Sequence, residues 1–224
     1  MREPSLRRRI RLGVTARTAT VAAAAAALAL GFGTWLVLDA LKSPPLEIDG
    51  YVLSTPRDLP AVELADEHGA PFRRHDFVGH WSFLYFGYTY CPDVCPLTLV
   101  ELTKVKLDLA AKGFAEPSTY YFVSVDPGRD TPARLREYVS YFDPELRGLT
   151  GSATALAALA QTTDTVFDVP DDSAGDNYLV SHSSTVVLLD PNGRVHAVFA
   201  APHDAPRLAG DFIQIVERYK GSRQ

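Results

Sequence analysis

Apolar positions fall into two regimes along this chain. Residues 18–38 form an uncharged run of 21 residues with VAAAAAALALGFGTWLVL at its centre. A helix of that length spans about 31 Å, enough for the hydrocarbon core of a bilayer. From about residue 49 the pattern breaks into short segments that alternate between strand and helix periodicity. Residues 81–87, WSFLYFG, predict a buried strand. Leu99, Leu102, Val105, Leu109 and Ala110 recur at helical spacing over 96–112, and Gly113 fits the stop. A second strand is expected over 119–125. Asp130 and Thr131 are good caps, and Pro132 suits a first helical position, so a helix should run to about 142. Ser152 should cap a short Ala/Leu helix to about 162. A segment at 165–169, a polar loop from 170 to 178 and a hairpin follow. The hairpin pairs 185–189 with 195–199 around Asp190-Pro191-Asn192-Gly193, and a last helix spans about 206–219. The N-terminal part of the domain, including 51–70, is expected to add a small hairpin. This order predicts a thioredoxin-like α/β domain over 49–224, a central mixed sheet flanked by helices.

Charge assigns the first segment. Residues 1–42 hold seven Arg or Lys against two acidic residues, whereas 43–224 hold 15 basic and 25 acidic ones. The division expected is a basic cytoplasmic tail (1–17), one transmembrane helix (18–41), a linker (42–48) and the domain. Positive residues ahead of the run keep the N-terminus cytoplasmic and send the domain to the periplasmic or extracytoplasmic side, as a single-pass cell-membrane protein. A cleaved signal peptide is the rival, but its apolar region is usually about 7–15 residues, and Leu38-Asp39-Ala40 is a poor cleavage site. The acidic domain argues against nucleic acid as a partner, since phosphate neutralisation needs clustered Lys and Arg. No small-molecule substrate is expected.

Chemistry concentrates at the two cysteines, Cys91 and Cys95, the only ones in the chain. A pair this close forms a disulfide, holds a metal, or alternates between the two. Pro96 suits a first helical position, so Cys95 is expected at the N-cap, with Cys91–Val94 as a bent loop. A thiolate at a helix N-terminus is favoured by the dipole and the free N–H groups. Two thiolates are soft donors suited to Cu(I) or Zn rather than Mg or Ca. The C-x-x-x-C spacing is one residue longer than that of thioredoxin-like redox enzymes, which favours a metal pair without excluding redox work. A purely structural disulfide would gain little from closing so tight a loop.

The stretch Phe86-Gly87-Tyr88-Thr89-Tyr90-Cys91-Pro92-Asp93-Val94-Cys95-Pro96 resembles the signature of the Sco/SenC proteins, copper chaperones for cytochrome c oxidase assembly. Val123-Ser124-Val125-Asp126-Pro127-Gly128-Arg129-Asp130-Thr131-Pro132, Gly148-Leu149-Thr150-Gly151 and His182-Ser183 agree with it. The match runs from about Leu53 to Tyr219. The resemblance implies copper, as Cu(I) or Cu(II), bound by Cys91, Cys95 and His182, and a role at the dinuclear copper site of oxidase subunit II. Three positions depart from the family pattern. Gly128 stands where Glu is common, Ser181 where Asp is frequent, and Tyr90 where histidine is frequent. Loss of a carboxylate at 181 bears on how His182 is oriented.

In a thioredoxin-like layout the loop before strand 185–189 faces the cysteine loop, which places His182 there. His68, His75, His80, His196 and His203 are expected to face solvent, with His203 as the reserve ligand. Asp126 and Asp130 suit either a shell or partner-docking surface near the site or plain turn and cap chemistry, and Asp93, inside the loop, suits tuning of the thiols or contact with a partner. The leading function is a copper metallochaperone. The alternative is a thiol–disulfide oxidoreductase acting through the same Cys91 and Cys95. A peroxide-reducing enzyme fits poorly, because Thr89 lies only two residues before Cys91 and no motif places an activating arginine.

Overall fold

The computed structural model describes residues 21, 23–38, 46–170 and 177–222. The chain divides into two compact units, Met1–Leu46 and Glu47–Gln224. In the first, residues 23–38 are helical and almost wholly exposed. Among the described residues no helix is long and apolar enough to cross a membrane. The expected span also includes 18–20, 22 and 39–41, which lie outside the described residues. So do the tail 1–17, residues 42–45 of the expected linker, and 171–176 of the polar loop.

The second unit is a mixed sheet of eight strands. In chain order they are β1 (Gly50–Asp58), β2 (Glu63–Asp66), β3 (Pro71–Arg73), β4 (Trp81–Gly87), β5 (Ser118–Ser124), β6 (Arg147–Gly151), β9 (Val186–Leu189) and β10 (Arg194–Phe199). A separate two-stranded ladder joins β7 (Phe167–Asp168) to β8 (Ser181–His182). Across the large sheet the order is β1-β10-β9-β4-β5-β6-β2-β3. β4 runs parallel to β5 from Trp81↔Ser118 to Gly87↔Ser124, and antiparallel to β9 on its other side. All seven residues of β4 are buried. A strand enclosed on both faces needs no polar alternation, which is why it reads as a continuous apolar run.

Four helices complete the unit: α1 (Val94–Ala111), α2 (Pro132–Phe142), α3 (Ala153–Thr162) and α4 (Ala205–Gly221). Helix α1 packs on α4, and α2 packs on β6. Phe212 of α4 meets Trp81 and Phe83 of β4 with ring centroids 5.6 and 4.9 Å away. Thr131 and Ser152 cap where the sequence places them, accepting from the Arg134 and Ala155 N–H groups, and Asp204 caps the last helix by accepting from the Arg207 N–H. Asp190 accepts from the Asn192 and Arg194 N–H groups, and Gly193 takes φ +67°, a left-handed turn that glycine adopts without strain.

The small hairpin expected in the N-terminal part is there, formed by β2 and β3. β1 and β2 lie at opposite sides of the sheet, β1 on β10 and β2 on β6, and the hairpin partner of β2 is the later β3. Residues 59–62 link the two strands, and each finds an open neighbour elsewhere in the sheet. The start of α1 differs from expectation. Its N-cap is Asp93 rather than Cys95, which puts Pro96 at the third helical position. The first four N–H groups of a helix have no intrahelical acceptor, so a proline there forfeits nothing.

Candidate metal centre

β4 ends at Gly87 and turns through Tyr88–Asp93 into α1, which sets both cysteines at the C-terminal end of the sheet. The Cys91 N–H donates to the Tyr88 carbonyl at 3.1 Å. The Cys95 N–H, free at the helix start, points at Cys91 Sγ at 3.5 Å. Gly87 makes room for the inner thiol: a Cβ there would sit 2.8 Å from Cys95 Sγ and 2.8 Å from Phe122 Cε2. Cys95 is fully buried, whereas Cys91 is half-buried.

His182 arrives on β8, where it pairs with Phe167. The Ser183 N–H donates to the Val166 carbonyl at 2.8 Å, and Ser183 Oγ accepts from the Val166 N–H. His182 Nδ1 lies 3.1 Å from the Ser183 carbonyl, which can only accept, so the proton sits on Nδ1. Nε2 is left with its lone pair 3.3 Å from Cys95 Sγ. Edge-on contacts with Tyr85 and Tyr88, at 6.1 and 5.9 Å, hold the ring. The Ser183 carbonyl thus does the orienting that a carboxylate at 181 would otherwise share, while Ser181 is exposed. One sulfur, a second sulfur and the imidazole nitrogen all lie within 4.8 Å of one another.

The two thiols are electrostatically unequal. Cys91 is lowered to about 5, first by its hydrogen bond with Cys95, then by the Asp93 and Cys95 N–H groups and by His182, against the cost of partial burial. Cys95 is pushed far up, first because it is the donor in that pair and then by burial. The helix terminus therefore stabilises a thiolate at Cys91, not at Cys95 as the proline argument predicted. The reason is the earlier helix start, which turns the Cys95 N–H toward its neighbour.

Supporting residues tie the two halves together. Asp130 is buried and accepts from the Thr89 N–H (2.9 Å), the Thr89 hydroxyl (2.6 Å) and the Ser124 hydroxyl (2.6 Å). Burial raises its carboxyl despite those donors. It fixes the start of the cysteine loop, and the α2 cap is Thr131. Asp126 accepts from Arg129 and, at 2.7 Å, from the Tyr178 hydroxyl. The Arg129 guanidinium lies 3.5 Å from the Tyr178 ring centre and 4.9 Å from that of Tyr90. This joins the Asp126–Asp130 loop to the segment leading into His182. Asp93 contributes its N–H to Cys91.

Of the other histidines, His68 and His75 are exposed as expected. His80, His196 and His203 are not. His80 sits 3.2 Å from the Tyr121 hydroxyl, His196 packs on Trp81 and Tyr219, and His203 Nε2 is 2.7 Å from the Ser184 carbonyl. Their ring bodies pack ahead of β4, on β10 and in the turn before α4, which hydropathy alone does not register. His203 takes no place in the metal cluster.

A thioredoxin-like sheet that carries two thiols and an imidazole at one end defines a class of thiol-based metal or redox proteins. The chain belongs to the SCO1/SenC family, whose model matches residues 58–217. It is 37% identical over 153 residues to a protein of Stutzerimonas stutzeri named for copper binding, covering 67% of this chain and 74% of that one. It is 36% identical over 156 residues to the mitochondrial SCO2 homolog of Bos taurus, covering 70% of this chain and 57% of the bovine protein. Yeast Sco1 with copper bound superposes with a TM-score of 0.67 at 31% identity, over 72% of this chain and 90% of that structure.

Proposed function

We propose that this chain is a membrane-anchored copper carrier whose cargo is held by Cys91 Sγ, Cys95 Sγ and His182 Nε2 and passed on by ligand exchange. The observation that carries the reading is the convergence of those three atoms within 4.8 Å, with the Nε2 lone pair already turned inward. Ligand bonds of about 2.0–2.3 Å fit a donor triangle of that size after a small inward movement. Two soft sulfurs suit Cu(I), and a borderline imidazole keeps Cu(II) acceptable, the combination a carrier needs. The copper-bound Sco1 and the relative named for copper binding support the choice of metal. Their kinship also supports delivery to the copper site of cytochrome c oxidase subunit II. The apolar run at 18–38 and the basic residues ahead of it support a single-pass anchor with the domain outside the cytoplasm.

Copper stoichiometry under reducing conditions tests the carrier. One copper per chain is expected for the native protein, and none for the double variant Cys91→Ser, Cys95→Ser. Retention of one equivalent by the double variant would sink the proposal.

One observation favours a second reading. An acidic, half-exposed Cys91 beside a buried Cys95 is the attacking and resolving arrangement of a thiol–disulfide oxidoreductase. His182→Ala separates the two: it should weaken Cu(II) binding while leaving exchange with a disulfide substrate nearly intact.

A further inference from the structure

Tyr85 is wholly buried in the middle of β4, yet its hydroxyl has no hydrogen-bond partner among the described residues. Buried polar groups are almost always satisfied, so each exception calls for a cause. Packing does not supply one. Phe83 and Phe86 occupy the same strand, and a phenylalanine at 85 would fill the same space without a stranded O–H. The ring stands edge-on to His182, and the neighbours that act on the hydroxyl are the Cys95 sulfur and the Thr98 hydroxyl. His182 Nε2 in turn lies 3.3 Å from Cys95 Sγ, so the buried Tyr85 ring, the imidazole and the inner sulfur share one pocket.

Metal binding changes that sulfur. Coordination requires a deprotonated thiol, and the bound thiolate is an anionic acceptor in a dry pocket. We infer that Tyr85 is a positioning residue of the copper site, donating its O–H to the metal-bound sulfur of Cys95. This rests on the copper-carrier reading. A donor on a coordinating sulfur withdraws electron density from it, which favours Cu(I) over Cu(II) and moves sulfur-to-Cu(II) charge transfer to higher energy.

The test compares Tyr85→Phe with the native full-length chain in detergent. Tyr120→Phe is the control, because Tyr120 also carries a buried hydroxyl without a partner but stacks on Phe83, and neither thiol acts on it. The charge-transfer band of Cu(II)-loaded Tyr85→Phe should shift to longer wavelength, and its copper reduction potential should fall. Tyr120→Phe should match the native protein in both. Metal-free Tyr85→Phe should melt no lower than the native protein, since the hydroxyl it loses is unpaired there. An unmoved band and potential in a copper-loaded Tyr85→Phe protein would overturn the inference while leaving the carrier intact. A lower melting temperature of the metal-free variant would also overturn it, by revealing an ordinary structural bond. Copper retained by the Cys91→Ser, Cys95→Ser protein would remove the carrier and this role together.

Discussion

At the scale of single residues, the site depends on an absence at 87 and an imbalance at 91 and 95. Any side chain at 87 must displace the Cys95 sulfur or the Phe122 ring, both 2.8 Å from the position a Cβ would take. Gly87→Ala should therefore cost about 1–3 kcal/mol in chemical denaturation, typical of overpacking, and weaken copper binding. An unchanged unfolding midpoint would show that the core yields there. The imbalance predicts selective chemistry in the metal-free protein. Because the nucleophile is the thiolate, alkylation of Cys91 should rise with pH through about 5 and be level by neutrality, whereas an ordinary thiol is still gaining near pH 8. Cys95, buried and protonated, should stay unmodified. Mass spectrometry of iodoacetamide-treated protein across that pH range checks both. The cysteines and His182 were legible in the chain, because thiol spacing and a family signature are local features. Gly87 and Ser183 stand in that signature, but their roles and that of Tyr85 were not legible, because within an apolar strand or a short polar stretch nothing marks which position faces a sulfur or a ligand.

At the scale of elements, two supports hold the donors, and they differ in strength. The cysteine loop is anchored by Asp130, which satisfies three donors at once. Asp130→Ala strands the Thr89 and Ser124 groups in a buried position and should cost about 3 kcal/mol, with a loss of copper affinity. Thermal unfolding followed with and without copper would measure both. The histidine is anchored more lightly, by a ladder with the pairs Phe167↔His182 and Asp168↔Ser181 and by the Ser183–Val166 bonds. Ser183→Ala removes one of those bonds, so stability should drop by about 1 kcal/mol or less while Cu(II) affinity falls several-fold. Equal effects on stability and affinity would argue that the ladder is part of the global fold. Helix periodicity, caps and the Asp-Pro-Asn-Gly turn made the helices and the 186–199 hairpin readable from sequence. The pairing of β1 and β2 was not readable, because adjacent strands in sequence usually pair and here each joins a distant neighbour.

At the scale of the molecule, the chain divides at Leu46 into an N-terminal unit, helical over the described residues 23–38, and the site-bearing unit. If the first is an anchor, the full-length protein should sediment with membranes and resist extraction at alkaline pH. A protease added outside intact cells stripped of their outer layers should then cleave the domain away. Recovery in the soluble fraction would reject the anchor. The mixed sheet explains why the fold class showed in the sequence: an enclosed β4 leaves a continuous apolar run and a surface helix such as α4 an amphipathic stripe. The meeting of residues 91, 95 and 182 leaves no such pattern, since it depends on how the strand-to-helix turn and the β7–β8 ladder are brought together.

The short ladder under His182 has one more consequence. Two of the three donors ride on the strand-to-helix turn at the heart of the domain, and the third on a strip with only two paired rungs. Local openings draw on the least cooperative segments of a native structure. Unzipping those rungs would lift the imidazole away while the sulfurs stay seated, so the ladder, and not the eight-stranded frame, would limit how fast bound copper escapes. An acceptor would need to prise only that seam apart.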